Sequence, residues 1–350
     1  MSNNHLPFII AGPCSAESRQ QVFQIARALK ATGKVDIFRA GIWKPRTMPG
    51  TYEGPGDIGL QWLEDVPKEL DIVVATEVAT PNHVEKALKH NISTLWIGAR
   101  TSVNPFSITE LSHALSGTDT TILIKNPINA DISLWIGAIE RIKQAKIKKI
   151  MLIHRGFTSL HPAPYRYDPI WKIPIEIIKR YPDLPLLCDP SHISGNSLYI
   201  EQISQKALDL NMKGLMLEVH NDPINALVDQ NQQITPTQFV EIIEHLKKRK
   251  ENSTNQNYLE KLEELRGQID KIDHELLHQL AHRKEIVTEI AKLKFQNNIG
   301  PLQLGRFQEI CNARIKWGQA LGLSQDMIED LFTTIHEDAV KYQSDLMKTF

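Results

Sequence analysis

Two different hydrophobic rhythms divide the chain. From residue 7 to about 247, short β-type runs recur: Phe8–Ala11, Ile37–Ala40, Ile72–Thr76, Leu95–Ile97, Ile122–Lys125, Ile150–Ile153, Leu186–Cys188 and Leu215–Val219. Helical patterns stand between most of them, among them Arg19–Ala31, His83–Lys89, Ile132–Lys143 and Ile175–Arg180, with Gly, Pro and Asn at the joins. Eight strands alternating with helices predict an α/β fold, a closed TIM (β/α)8 barrel, with a doubly wound open sheet as the alternative. The segment His245–Asn257 is basic, then polar, with Leu246 its one apolar residue, as a linker reads. Beyond it the period changes. Leu259, Leu262, Leu265, Ile269, Ile272, Leu276, Leu280, Val287 and Ile290 follow one another at helical spacing, with no proline before Pro301. This predicts one helix of about 36 residues, then helices near 305–321 and 325–348, with Ser324 as an N-cap. The expected domains are a barrel over 1–248, a linker over 249–257 and a small all-α domain over 258–350. A helix so long cannot bury its stripe within so small a domain, so partner helices from a second subunit are expected.

Bulk properties narrow the function classes. The formal net charge of -1 gives no reason to expect nucleic acid or an anionic membrane as partner. The three cysteines, Cys14, Cys188 and Cys311, are too few and too scattered for a disulfide framework, which points to a reducing compartment. Neither a signal-peptide pattern nor an apolar run of membrane-spanning length is present, so a cytoplasmic location is expected.

The chemistry-bearing residues fall at the C-terminal ends of the predicted strands, where barrel active sites form. Arg39, Lys44, Arg46, Arg100, Lys125 and Arg155 put six cations at that mouth. Isolated cations are ordinary rim charges; six together call for anions, with phosphates and carboxylates the natural candidates. Cys14, His192, Glu218 and Asp229 form a second set. A thiolate, an imidazole and two carboxylates would suit a borderline divalent ion such as Mn, Fe, Co or Zn, although a lone Cys or His is more often structural.

Residues 7–230 resemble the 3-deoxy-D-arabino-heptulosonate 7-phosphate (DAHP) synthases of the short β-type subclass. The matching text is AGPCSAES, KPRT, ATEV, IGAR, IKN, HRG, DPSH and LMLEVH…ALVDQ, with KPRT after strand 2 the sharpest. Sister synthases that use arabinose 5-phosphate carry a KANR-like sequence there. The resemblance implies condensation of phosphoenolpyruvate with erythrose 4-phosphate. It places Cys14, His192, Glu218 and Asp229 on a metal, and Arg39, Lys44, Arg100, Lys125 and Arg155 on phosphoenolpyruvate. Pro45, Arg46 and Thr47 would receive the erythrose phosphate, and Lys44 would give a proton to the new alkoxide. Two motifs depart from the family: Arg39-Ala40-Gly41 stands for Arg-Gly-Gly, and Lys125-Asn126-Pro127 for Lys-Arg-Gly. The Pro- and Tyr-rich stretch from 160 to 171 carries no assignable motif.

In the helical part, Arg266, Arg283 and Lys294 interrupt the apolar stripe. Arg283 and Lys294 lie eleven residues apart, close to three turns, and so nearly share a face. A charge on such a stripe is usually a side chain snorkelling at its edge. Residues 258–346 nevertheless resemble the all-helical chorismate mutases, on LEELRGQIDKIDHELLHQLAHRKEIVTEIAKLK, Arg306 and HEDAVKYQ. The resemblance implies that Arg283 and Arg306 hold chorismate, that Arg266 reaches the partner's site in a homodimer, and that Lys294 and Gln343 serve the ether oxygen. Gln303, Phe307 and Ala339 replace two acidic residues and a serine of the family, and Gln303 or Gln308 could substitute. An inert helical module for dimerisation or regulation is the alternative to activity. Because the first strand begins almost at once, ligand control of the barrel is expected to lie in the mutase domain.

Overall fold

The computed structural model describes residues 7–46, 49–159, 164–247, 249 and 253–350. It divides into two compact units, Met1–Glu251 and Asn252–Phe350.

The first unit is a closed parallel barrel in which each strand pairs with the next and β8 returns to β1. The strands are β1 Phe8–Gly12, β2 Ile37–Arg39, β3 Val73–Val78, β4 Thr94–Ile97, β5 Thr121–Lys125, β6 Lys149–His154, β7 Leu186–Cys188 and β8 Gly214–Glu218. The helices of this unit are α1 Arg19–Ala31, α2 Ile58–Leu70, α3 Pro81–Lys89, α4 Pro105–Leu115, α5 Ile132–Gln144, α6 Lys172–Arg180, α7 Pro190–Ser194, α8 Ile200–Asp209 and α9 Pro236–His245. The closed ring removes the open-sheet alternative. Most helices start where a side chain can take an unpaired backbone N–H: Ser18, Thr80, Asn104 and Asp131 do so, and Thr235 and Gln238 form a reciprocal capping box.

Side chains of a strand alternate between two faces, and the core divides accordingly. One residue from each strand fills the barrel: Ile10, Ile37, Ala75, Trp96, Leu123, Ile153, Leu187 and Met216. Their neighbours, such as Ile9, Phe38, Val74, Leu95, Ile122, Leu152, Leu186 and Leu215, pack outward under the helices. Both faces are apolar, which is why these strands read as continuous hydrophobic runs. Two residues beyond each inner residue stand Gly12, Arg39, Glu77, Gly98, Lys125, Arg155, Asp189 and Glu218. An ionic layer therefore caps the apolar plug at the C-terminal mouth.

The second unit contains α10 Gln256–Gln296, α11 Leu304–Ala320 and α12 Gln325–Met347. The 41-residue α10 is longer than its repeat predicts, because Asn255 caps it ahead of the first leucine, its side chain accepting from the Tyr258 N–H. Among its described residues only Val287 and Ala291 are buried. Ile269, Ile272, Leu276 and Leu277 are all more than half exposed, so one chain leaves the stripe uncovered.

The β1–β8 seam allows a test. A Cβ on Gly214 would stand 2.1 Å from the backbone oxygen of Phe8, where no flexible group can give way. Gly214→Ala is expected to destabilise the barrel by about 1–3 kcal/mol or more, read as a lower denaturant midpoint with the helical signal of the second unit unchanged.

Candidate active site

The mouth of the barrel is built on Trp96. This indole is fully buried, donates from Nε1 to Glu77 Oε2 at 3.1 Å, and lies beneath Arg39 (4.8 Å from guanidinium carbon to ring centre) and Lys125 (5.9 Å from the ammonium). Both of these cations have an acidic partner. Arg39 Nη2 is 3.2 Å from Glu218 Oε1, and Lys125 Nζ is 2.7 Å from Asp189 Oδ2. Three cations, with Arg155 the third, and three carboxylates make up the layer, and two of the six cations foreseen from sequence are paired within it. Arg39 keeps Nε and Nη1 without a hydrogen-bond partner although it is buried, and so does Nη1 of Arg155.

Above this layer lies a cavity of about 220 Å³, lined by Lys44, Pro45, Arg46, Arg100, Lys125, Arg155 and Arg166, by Glu77, His192 and Asp229, and by Thr51, Gly98, Ala99, Ile128 and Tyr167. Six cationic side chains face two carboxylates there, a surplus of four positive charges. Arg39 stands below and does not line it. Arg100 Nη1 donates to the Pro45 carbonyl at 3.4 Å, and Arg46 Nε to Thr51 Oγ1 at 3.2 Å. Thr47 lies outside the described residues. Asn126, where the chain departs from the family motif, holds the backbone together: Oδ1 accepts the Arg155 N–H at 2.6 Å, and Nδ2 donates to the Gly156 carbonyl at 2.8 Å. His154 sits beside Phe157 and Trp171, and burial together with Arg155 pulls its pKa down to about 3, so it packs as a neutral ring.

At one edge of the cavity, ligand atoms of Cys14, Glu218 and Asp229 all lie within 4.8 Å of one another, a group that could hold a metal ion. His192 stands beside this trio rather than within it. Its Nδ1 is 3.7 Å from Glu218 Oε1 and 2.8 Å from Asp189 Oδ2, though the ring is not aligned to donate to either. Burial lowers the His192 pKa, against the pull of Asp189, which leaves a neutral imidazole suited to ligation. Burial and then Glu218 push the Cys14 thiol well up, while Lys44 opposes them from 3.1 Å. For Lys44, burial disfavours the charge, but Cys14 when ionised, Glu77 and Glu218 outweigh it and raise the pKa. Lys44 is therefore an ammonium in the resting site. The thiol, imidazole and two carboxylates fit a borderline divalent ion.

Sequence reasoning missed Arg166, Tyr167, Gln232 and Gln233. Arg166 Nη1 lies 2.9 Å from Asp229 Oδ1, the Tyr167 ring lies 3.5 Å from the Arg155 guanidinium carbon, and Gln233 Oε1 accepts the Cys14 N–H at 3.0 Å. Arg166 and Tyr167 lie in a loop without periodicity, and only the concentration of Arg and Tyr there could have drawn attention.

Residues 2–255 match the family model described as DAHP synthetase I family. The chain belongs to that family. Residues 265–344 match the model for chorismate mutase type II, so a DAHP synthase domain is followed by a chorismate mutase domain. A phospho-2-dehydro-3-deoxyheptonate aldolase of Thermotoga maritima is 32% identical over 240 residues, spanning 69% of each chain. A 2-dehydro-3-deoxyphosphooctonate aldolase of Desulfotalea psychrophila is 27% identical over 272 residues, with 69% of this chain and 88% of that one covered. Among solved structures, the Thermotoga maritima DAHP synthase superposes with a TM-score of 0.61 at 28% identity, covering 69% of this chain and 68% of that one. A truncated form of the synthase from the same organism gives 0.58 at 26%, covering 69% and 85%. These matches and the two domains identify a bifunctional enzyme of the shikimate pathway.

In the mutase domain, a cavity of about 410 Å³ between α10 and α12 is lined by Arg283, with Leu280, Val287, Ile335, Asp338, Ala339 and Tyr342 among its other walls. Lys294, Gln343, Arg266 and Arg306 lie outside that lining. Lys294 Nζ donates to the Pro301 carbonyl at 2.6 Å. Gln343 is buried, donates to the Ala339 carbonyl at 3.2 Å and leaves Oε1 without a partner. Arg266 and Arg306 are exposed and pair with Glu263 and Glu309 one turn away. Phe307 stacks on His336, whose pKa is lowered by burial and then by the charges of Arg283 and Lys294.

The thiols allow a test. Thiolate is the reactive form, and burial raises the pKa of Cys14 and Cys188, with Glu218 and Asp189 adding to it. Limiting iodoacetamide on metal-free protein is expected to label Cys311, which is partly exposed, well before either buried thiol. Mass spectrometry of the labelled peptides reads the order, and Cys14 reacting first would contradict the buried-thiol picture.

Proposed function

We propose that the barrel cavity condenses phosphoenolpyruvate with erythrose 4-phosphate and water to DAHP and phosphate, using the residues assigned from the family motifs. The observation that carries this reading is the positive surplus of the cavity directly beside the Cys14, Glu218 and Asp229 group. A substrate with a phosphate and a carboxylate needs several fixed cations to orient it and exclude water. Lys125, Arg155, Arg100 and Lys44 are those cations. Arg39 acts from below through its unpartnered Nε and Nη1. Pro45, Arg46 and Thr47 receive the phosphate of the aldose. Cys14, His192, Glu218 and Asp229 would hold Mn, Fe, Co or Zn, which when bound supplies Lewis-acid polarisation of the aldehyde. The enol carbon attacks the aldehyde carbon, Lys44 gives its proton to the new alkoxide, water adds at the cationic centre, and phosphate departs.

The mutase reaction, chorismate to prephenate, needs only a grip on two carboxylates and charge for the breaking ether oxygen. Arg283 and Arg306 supply the grip, and Lys294 and Gln343 serve the ether oxygen. Arg266 completes the site of a second subunit in a homodimer built on the exposed stripe of α10. The exposure of Arg266 and Arg306 in one chain supports that reading. Ligand bound at the same domain controls the synthase, with prephenate the probe that tests it. The free cysteines fit a cytoplasmic location, and no helix among the described residues is long and apolar enough to cross a membrane.

Metal-reconstituted full-length protein is expected to use erythrose 4-phosphate at least about tenfold better than arabinose 5-phosphate. Lys44→Met should cost about 100-fold or more in condensation with metal binding by calorimetry retained; more than a tenth of the turnover surviving would exclude the proton-donor role. Arg283→Ala should cost chorismate turnover about 100-fold while leaving prephenate-free DAHP formation within about twofold. Wild-type synthase rates that do not change with added prephenate would remove the sensor, and no chorismate turnover at all would favour an inert helical module.

A further inference from the structure

The two carboxylates of the metal group share one support that lies outside the group itself. Asp229 sits in the left-handed backbone region, φ 50°. Its carboxylate is divided: Oδ2 faces Cys14 Sγ at 3.1 Å, and Oδ1 receives Arg166 Nη1 at 2.9 Å. The same nitrogen donates to Gln232 Oε1 at 2.9 Å. The amide of Gln232 turns the other way and gives Nε2 to Glu218 Oε2 at 2.6 Å. Glu218 keeps Oε1 on the side of Arg39 (3.2 Å) and His192 (3.7 Å). Each carboxylate is thus held by one oxygen and presents the other to the remaining donors.

The backbone around Arg166 ties in the fourth donor. The Arg166 N–H donates to the Ser194 carbonyl at 3.1 Å, and the Tyr167 N–H to the Ile193 carbonyl at 3.1 Å. Ser194 ends α7, the short helix that carries His192. Gly195 follows at φ 64°, and a Cβ there would stand 2.4 Å from Arg166 Cβ. Only glycine lets the loop lie this close to the helix.

We infer that Arg166 and Gln232 form a positioning clamp that sets Asp229 and Glu218 for the metal; the inference rests on the metal reading above. Two effects of Arg166 oppose each other. Its charge repels a cation, which would weaken binding. Its hydrogen bonds fix both carboxylates and hold a strained Asp229, which strengthens it. The guanidinium charge is already met by Asp229 Oδ1, so orientation wins, and the sign of the effect on affinity separates the two.

The test uses full-length, metal-free protein titrated with Co(II) against a competing chelator, followed by the visible bands of the ion and the near-ultraviolet charge-transfer band of a Cys14 thiolate. Arg166→Ala is expected to lose 10- to 100-fold in Co(II) affinity, with shifted visible bands and the thiolate band retained. Arg166→Lys, which can still donate to both oxygens, should recover most of that loss. Gln232→Leu should weaken binding similarly while leaving the Arg166–Asp229 pair, and it carries the test should Arg166→Ala not fold. Affinity within about twofold of wild type with unchanged bands, or tighter binding, in Arg166→Ala or Gln232→Leu overturns the clamp. Absence of the thiolate band in wild-type protein, or its survival in Cys14→Ser, overturns the metal reading instead.

Discussion

The functional mouth depends on a layer of buried charge resting on an apolar plug. Parallel strands in a closed ring send every second side chain inward, so the residue after next on each strand must lie directly above the filler. The filler here is hydrophobic on all eight strands and includes one indole, Trp96. The layer above it includes Arg39, Glu77, Lys125, Arg155, Asp189 and Glu218, each nearly inaccessible to water. Ions in such a place survive only in well-made pairs, and removing one member of a buried pair typically costs about 3–5 kcal/mol. The pairs Arg39–Glu218 and Lys125–Asp189, with the indole N–H on Glu77, meet that demand, while Arg155 lies against the Tyr167 ring instead. The positive surplus then falls to residues one level further out, Lys44, Arg46, Arg100 and Arg166, which line the cavity where a ligand arrives.

This ordering accounts for what the sequence could tell. The barrel was legible because strand alternation and helix period are local properties: β7 over Leu186–Cys188 and α1 over Arg19–Ala31 have the limits their patterns predict. Strand ends flagged the chemistry for the same reason, since a charge two residues past an inner apolar position has only one place to go. Compensation was not legible. Counting Arg39 and Lys125 as free cations overlooked Glu218 and Asp189, which stand beyond one intervening strand of the ring but 179 and 64 residues away in sequence. Arg166, Gln232 and Gln233 were invisible for a related reason. They sit on irregular loops, and their meaning comes only from what they touch.

The helical unit solves a similar recognition problem with a different economy of structure. Its cations are not compensated by a buried layer. Arg266 and Arg306 lie in water, each against a glutamate one turn away, and such exposed pairs contribute little. Arg283 and Lys294 are nearer the interior, close enough to His336 for both charges to lower its pKa. The buried Gln343 leaves Oε1 without a donor, an arrangement that a folded core does not favour on its own.

These features belong with the uncovered stripe of α10. A helix of 41 residues with only two buried side chains among those described is covered by its own unit along only a small part of its length. Leaving apolar residues such as Ile272 and Leu277 exposed to 62% and 65% forgoes the main source of helix stability in water. In the proposed homodimer a second copy of the same helix would supply both elements at once, apolar cover for the stripe and Arg266 for the partner's site. In the barrel the ring closes within one chain, and its buried layer pairs Arg39 with Glu218 and Lys125 with Asp189. In the helical unit the stripe does not close within one chain, and the proposed association would cover it.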